Sequence, residues 1–381
     1  MYSKIKNKLR FNRVTRIIRS KNRISANDAC TYWLKSNKNK FIYEKQYVHS
    51  FNLSIDPIDR KFIPFPLSWA KPLITRARFI YSLNNVIVSP FESHIYFYDI
   101  DKSSSDLGTK FDNDKLSLFD FYKKNELLEA KELSGNVLHL GISSNPSNFY
   151  HWIHEIYSRI LRVQKEYDLN KFDFVIMPKL KNKFQKEALE LLKFDSSKIL
   201  SNETFYKCTG NLVTANIDCI ASGLDLRNFF ANNEILKSNK FKKKFFLDRD
   251  SNSGQQKREL INFDRFKSQY LDAGFEFIKP ENLSFEEQIK LFLSAKALVG
   301  VSGSSFCLSS LMNEGSKVVE IFSKSFVDPA ISNICAASNL KYGFYIEDSY
   351  RPKAENNWVR NANSKINADL IDHEKIINFF N

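Results

Sequence analysis

The sequence predicts an α/β fold of two doubly wound halves around a central cleft, with a β-rich N-terminal part. Three observations carry that expectation. From residue 137 onward, short apolar runs alternate with longer segments of helical spacing, the order of strands and crossover helices in a parallel sheet covered on both faces. The length, 381 residues at 43% hydrophobic content, exceeds the roughly 250 residues beyond which one core usually splits into two. Gly (11) and Pro (10) are scarce while Phe reaches 34, which excludes low-complexity disorder and leaves ample material for cores.

Residues 1–40 hold twelve Lys or Arg against Asp28 alone, so +11 of the formal +14 lies there. With Ile5, Leu9, Val14, Ile17 and Ile18 between the charges, the segment reads either as a basic helix lying on anionic lipid or as a solvated tail. Nucleic acid is not expected as a partner, because no helix-turn-helix, RNA-recognition or zinc-finger signature accompanies the charge. Residues 62–100, rich in aromatic and β-branched types with turn signals at Asn84-Asn85 and Ser89-Pro90, read as strands and hairpins. Residues 101–114 read as a polar loop, followed by a short helix through Phe119 and Leu127.

Strands are then expected at 137–141, 172–178, 245–248, 275–278, 297–301 and 317–322, with residues 212–221 extended. Helices are expected at 150–166, 182–192, 257–273, 284–295, 305–313 and 328–338, with a polar stretch from Ser222 to Asn239 joining the halves. This divides the chain into a basic segment (1–40), an N-terminal α/β domain (41–230), a C-terminal Rossmann-like domain (231–345) and a C-terminal extension with a helix (346–381). No internal repeat of 20–50 residues is present, which excludes solenoids and propellers. The cysteines, Cys30, Cys208, Cys219, Cys307 and Cys335, are odd in number and widely spaced, which suits a reducing compartment and argues against structural zinc. No window has the length of a signal peptide's apolar core or of a membrane span, so a cytoplasmic location is expected, peripheral on the inner membrane face if the basic segment binds lipid.

Three constellations point to chemistry. Asn148, Tyr150, His151, Trp152, His154, Glu155 and Arg159 crowd two imidazoles, a carboxylate, an indole and a guanidinium into twelve residues. On a helix His151, Glu155 and Arg159 follow at i, i+4 and i+8, which places a general base, its orienting partner and an anion clamp on one face. The same spacing suits an ordinary amphipathic helix that buries Trp152, Ile156 and Ile160. Either Glu155 or His151 qualifies as the base. Arg249 and Arg258, at and after the end of the strand 245–248, offer the planar fork that suits a diphosphate. Third, the strand 297–301 runs into Ser302, Gly303, Ser304 and Ser305, where small residues opening a helix expose amides and hydroxyls to an anion. The pattern is neither a dinucleotide fingerprint nor a Walker loop, so a nicotinamide-dependent oxidoreductase is disfavoured. Glu320 near a strand end can accept hydrogen bonds from ribose hydroxyls, or pair with a nearby cation. Metal-independent chemistry is expected, with no metal ligand and no cofactor, the leaving-group charge being carried by the helix dipole and the arginines.

These residues resemble glycosyltransferase family 61, whose bacterial members act in capsule and surface-polysaccharide synthesis and whose eukaryotic members transfer xylose, arabinose or N-acetylglucosamine. The likeness covers about residues 137–322. It rests on Asn148, Tyr150, His151, Trp152, Glu155 and Arg159; on Arg249, Arg258 and Asn262; and on Glu287, Gln288, the Gly300–Ser305 run and Glu320. Where the family commonly reads His-Gly-Ala-Gly this chain has Ser302-Gly303-Ser304-Ser305, and the acid that often follows the asparagine is Phe263. The resemblance implies a GT-B fold, two Rossmann-like domains facing a cleft, with the donor held mainly by the C-terminal one. It also implies inversion at the anomeric carbon with the base on the acceptor side. The expected partners are a nucleotide sugar, taken as a UDP-sugar, and a saccharide acceptor, lipid-linked where the basic segment meets the membrane. A non-catalytic component that binds a sugar nucleotide or polysaccharide in an assembly complex is the alternative, motivated by the departures at Ser302 and Phe263.

Overall fold

The computed structural model describes residues 40–44, 55–57, 78–84, 86–93, 95–97, 107–112, 115–120, 129–219, 222–231, 243–248, 258–322, 328, 330–346 and 364–381. The chain forms two compact units, one of Met1–Tyr47 with Arg76–Asp218 and one of Val48–Thr75 with Cys219–Asn381. Apart from Lys40, the basic N-terminal segment lies outside the described residues, as do Arg249 and residues 347–363.

The first unit contains two six-stranded sheets. One is ordered Lys40–Glu44, Arg78–Leu83, Leu212–Ala215, Val137–His139, Phe174–Ile176, Ile199–Leu200. The last four strands run parallel, Val137 facing both Leu212 and Phe174 in register, and the first two join antiparallel. Val137, Leu138, Val175, Ile176, Leu212 and Val213 are all buried, the unbroken apolar run of strands covered on both faces. The other sheet is ordered Lys115–Asp120, Leu107–Asp112, Ile95–Phe97, Val86–Val88, Tyr206–Cys208, Lys131–Leu133. Its outer hairpin corrects two expectations, a polar loop to residue 114 and a helix through Phe119. Leu107–Asp112 and Lys115–Asp120 pair antiparallel from Leu107↔Asp120 to Asp112↔Lys115. Leu107, Thr109 and Phe111, then Leu116 and Leu118, recur at the strand period of two.

A helix crosses this unit as Phe149–His151, a π-helical stretch Trp152–Tyr157, and Ser158–Val163. Every residue from 152 to 163 is buried, so this is a central helix rather than an amphipathic surface one. A second helix, Lys183–Leu191, opens with a reciprocal capping box between Asn182 and Gln185.

The second unit is built on an all-parallel sheet ordered Phe275–Ile278, Lys243–Leu247, Ala295–Val301, Lys317–Phe322, Lys341–Ile346, Ile55–Pro57. From Lys243–Leu247 the chain passes to Phe275–Ile278 on one side and returns to Ala295–Val301 on the other. The order therefore reverses between Leu247 and Val301, which makes their carboxyl ends the topological switch point. Helix Phe285–Ser294 starts at a Ser284–Glu287 capping box, and Ala330–Ala337 precedes the strand Lys341–Ile346.

Two further expectations are corrected here. Residues 222–231, read as part of a polar joint, form the helix Ser222–Ala231, because Leu226 and Phe230 lie four apart and both are buried. Gly223 lets this helix approach Ser310, where an added Cβ would come within 2.6 Å of the Ser310 Cβ. The expected helix 257–273 is instead a strand, Arg258–Ile261, parallel to Ser364–Asn367, followed by short helical turns Phe263–Phe266 and Lys267–Asp272. Asn262 separates them in the left-handed region at φ 62°, a conformation that asparagine tolerates better than most residues. Its amide donates to Asn367 and Asp369, contacts over a hundred residues away in sequence.

An aromatic core around Phe246, Phe263, Tyr270, Phe275 and Phe380 closes this unit, with the C-terminal helix His373–Phe379 part of it. His373 Nε2 bonds the Ala368 carbonyl at 2.9 Å, so it carries the proton and Nδ1 accepts from the Tyr270 hydroxyl at 2.9 Å. Cys208, Cys219, Cys307 and Cys335 are free thiols. Among the described residues no helix is long and apolar enough to cross a membrane.

Candidate active site

In the first unit the site begins where the strand Val137–His139 ends. Leu140, Gly141 and Ile142 continue it, buried, and residues 143–148 turn into the central helix. Gly141 is required by space alone, since a Cβ there would lie 2.2 Å from the Ser89 carbonyl and 2.3 Å from that of Glu92. Asn148 opens the helix as its N-cap, its side chain accepting from the Tyr150 amide at 2.9 Å.

His151 Nδ1 meets Glu155 Oε1 at 2.6 Å, and the Ser144 hydroxyl donates to the other oxygen, Oε2. The carboxylate accepts, so Nδ1 carries a proton and Nε2 is the ring nitrogen left to meet a substrate. Burial by itself would raise the Glu155 pKa, but the hydrogen bonds from His151 and Ser144 and the charge of Arg159 outweigh it and hold the carboxyl below its ordinary range. The side chain of His151 is 34% exposed and that of Glu155 11%. The imidazole is the member of the pair that a substrate can reach.

Four residues expected to shape the site are placed as follows. Asn148 caps the helix, and Tyr150 stands edge-on to the His151 ring at 5.5 Å. Trp152 is fully buried near Phe184 of the neighbouring helix. Arg159, 2% exposed, does not face outward as an anion clamp: Nε donates to the Glu155 carbonyl at 2.7 Å and Nη2 to the Gly141 carbonyl at 2.9 Å, with Nη1 3.5 Å from the Ala215 carbonyl. Arg162 does the same one turn on, donating to the Asn216 carbonyl at 2.6 Å and its side-chain oxygen at 2.9 Å. Two buried guanidiniums thus tie the helix to the carboxyl ends of neighbouring strands, which satisfies charges that could not otherwise be buried.

In the second unit Ser302 follows the carboxyl end of the central strand, its amide bonded to the Ile321 carbonyl at 2.9 Å. Gly300 lies where a Cβ would come within 2.6 Å of the Leu247 carbonyl, so glycine permits the close pairing at the switch point. Gly303 is extended, and Ser304–Leu311 forms a 3-10 helix in place of the expected α-helix 305–313. As its first residues, Ser304 and Ser305 have amides with no intrahelical acceptor, half-buried at the ligand edge of the sheet. Asp248 ends the adjacent strand Lys243–Leu247, its carboxyl raised by burial.

Glu320 differs from the expectation of ribose contact. It is fully buried, accepts from the Tyr342 hydroxyl at 2.7 Å, and burial pushes its pKa up to about 8 against opposing bonds from Ser302 and Tyr342. Arg258 is also buried, and its positive charge acts on Glu320. Both are therefore held in the interior, and a bond from Ser302 links Glu320 to the loop. Glu287 and Gln288 hold the start of the helix Phe285–Ser294, through the capping box and a bond from Gln288 to the Leu283 carbonyl at 3.3 Å. Asn262 organises the backbone, and Phe263 stacks on Phe246 at 4.6 Å, so the residue that departs from the family's acid is a packing residue.

Sequence reasoning missed Ser144 and Tyr342. The signal for Ser144 was its place in the small, polar run that follows a buried strand at the ligand edge; Tyr342 carries none, since only the pairing of Lys317–Phe322 with Lys341–Ile346 brings it to Glu320.

No curated protein sequence matches the chain. Residues 149–319 match the family model Glycosyltransferase 61. The match runs from the helix that carries His151 and Glu155 to the strand that carries Glu320, one residue short of that acid. Over this span the chain is similar to the glycosyltransferase 61 family, and the match supports glycosyltransferase activity.

Proposed function

We propose that the protein is an inverting, metal-independent glycosyltransferase that moves a sugar from a UDP-sugar to a saccharide acceptor of a bacterial capsule or other surface polysaccharide. The observation that carries this reading is the His151–Glu155 pair, in which the buried carboxylate bonds Nδ1 and the imidazole is the exposed partner. In this reading His151 is the base and Glu155 its orienting partner. Nε2 takes the proton of the acceptor hydroxyl as the oxygen bonds to the anomeric carbon, and the bond from that carbon to the diphosphate breaks with its electrons leaving on phosphate.

The leaving charge is met by the amides and hydroxyls of Ser304 and Ser305 and by Arg249, which lies outside the described residues. Arg258, Glu320 and Ser302 support that loop from below. Two α/β units, each with parallel strands, agree with a GT-B arrangement in which the unit of Cys219–Asn381 holds the donor and the unit bearing His151 takes the acceptor. The basic segment of residues 1–40 suits a lipid-linked acceptor at an anionic membrane face.

The test is a thermal-shift screen against UDP, GDP, CMP, dTDP, ADP and NAD, with and without magnesium. Stabilisation approaches about 2.7 kcal/mol at a hundred dissociation constants. UDP is expected to shift the transition equally in both conditions. A shift that requires magnesium would overturn the metal-independent reading, and a shift with another nucleotide alone would overturn the donor. UDP binding without sugar transfer would leave the binding component of an assembly complex.

A further inference from the structure

Resting on that reading of His151 and Glu155, we propose that Ser144 is a positioning residue of the proton-transfer step, locking the Glu155 carboxylate so that His151 keeps its proton on Nδ1 and presents Nε2 to the acceptor. A glutamate's terminal torsion is broad and roughly two-fold, so one contact leaves the carboxylate free to turn. Here each oxygen has its own donor, His151 at Oε1 and the Ser144 hydroxyl at Oε2. With both filled, the carboxylate plane is fixed, and so is the face it offers the imidazole.

Ser144 can do this because its loop is itself held. Asn145 accepts from the Ser147 amide at 3.0 Å, and its carbonyl accepts from the Asn148 amide at 3.1 Å. From the neighbouring helix, Gln185 donates to the Pro146 carbonyl at 2.9 Å and Asn182 to that of Ser147 at 3.0 Å. The capping box that starts this helix thus also anchors the serine loop. The π-helical stretch widens the turn below His151, and Ser158 bonds back five residues to Ile153. Loop and helix together set the two sides of one carboxylate. Beside the hydrogen bond from His151, the charged group that acts on Glu155 is Arg159, which is fixed by backbone carbonyls.

The experiment is long-range proton–nitrogen NMR of the full chain labelled with 15N histidine, with the His151 signals assigned by their loss in His151→Ala. Wild type is expected to show one His151 tautomer, protonated at Nδ1. Ser144→Ala should give a mixture of tautomers, Ser144→Thr should restore the single form, and Ser144→Ala should add no change in a Glu155→Gln background. If the alanine variant does not fold, Ser144→Cys, a weaker donor of similar shape, is expected to give the same mixture. A single unchanged tautomer in the folded alanine or cysteine variant overturns the proposal. So does an equal change in the Glu155→Gln background, since Ser144 would then act by another route. Failure of the base reading is distinct: full turnover in His151→Ala, whatever the tautomer.

Discussion

Replacing Arg159 by methionine keeps the aliphatic stem in its packing and removes three donors from a site that is 2% exposed. The Glu155 and Gly141 carbonyls, bonded at 2.7 and 2.9 Å, lose their guanidinium partner, and the Ala215 carbonyl loses a longer contact at 3.5 Å. A buried polar group left unsatisfied costs about 1–3 kcal/mol, so two good bonds and one weak one amount to about 3 kcal/mol. For a unit of this size the midpoint moves by about 2–4 °C per kcal/mol, which predicts a fall of about 6–12 °C in the transition of that unit. Calorimetry or near-UV circular dichroism on the full chain reads it. Because the guanidinium is committed to backbone carbonyls, the stabilisation by UDP is expected to match that of wild type. An unchanged midpoint with a weakened UDP response would refute this, and would return Arg159 to the anion clamp that the i, i+4, i+8 spacing suggests.

Glu320→Gln tests the buried acid. Its pKa stands at about 8 against an ordinary 4.5, so unfolding releases a proton between those values and stability falls as pH rises from about 4.5 to about 8. The variant is expected to lose that slope in denaturant midpoints taken across the interval; an identical slope would show that Glu320 is ionised in the fold. Deleting residues 1–24, which hold nine of the twelve N-terminal basic residues, is expected to abolish co-sedimentation with anionic vesicles and leave the melting transition in place. Continued sedimentation would remove the membrane role from that segment.

The C-terminal sheet was legible because its strands are buried on both faces. Lys317–Phe322 and Phe275–Ile278 match their expected spans, and Ser284 with Glu287 marks a helix start by a local rule. What failed was decided elsewhere in the chain. Arg258–Ile261 carries helix-compatible residues and becomes a strand through pairing with Ser364–Asn367, and Ser222–Ala231, expected as part of a polar joint, is helical because Leu226 and Phe230 find a core.

At the site, spacing placed His151 beside Glu155, since four residues along a helix are always neighbours. Spacing is silent on burial, which turns Arg159, Arg258 and Glu320 inward. It is equally silent on Ser144, whose role depends on a loop held by Asn182 and Gln185. The π-helical stretch Trp152–Tyr157 has no sequence period of its own and shows only in the backbone.

Whether His151 takes the acceptor proton is decided by the transfer rate of His151→Ala with and without added imidazole, at saturating UDP-sugar. General-base catalysis typically contributes about a hundred-fold or more. The expected result is a loss of that order, wild-type stabilisation by UDP, and partial recovery with imidazole. Turnover at the wild-type rate, or a loss that follows weakened UDP binding, would contradict it.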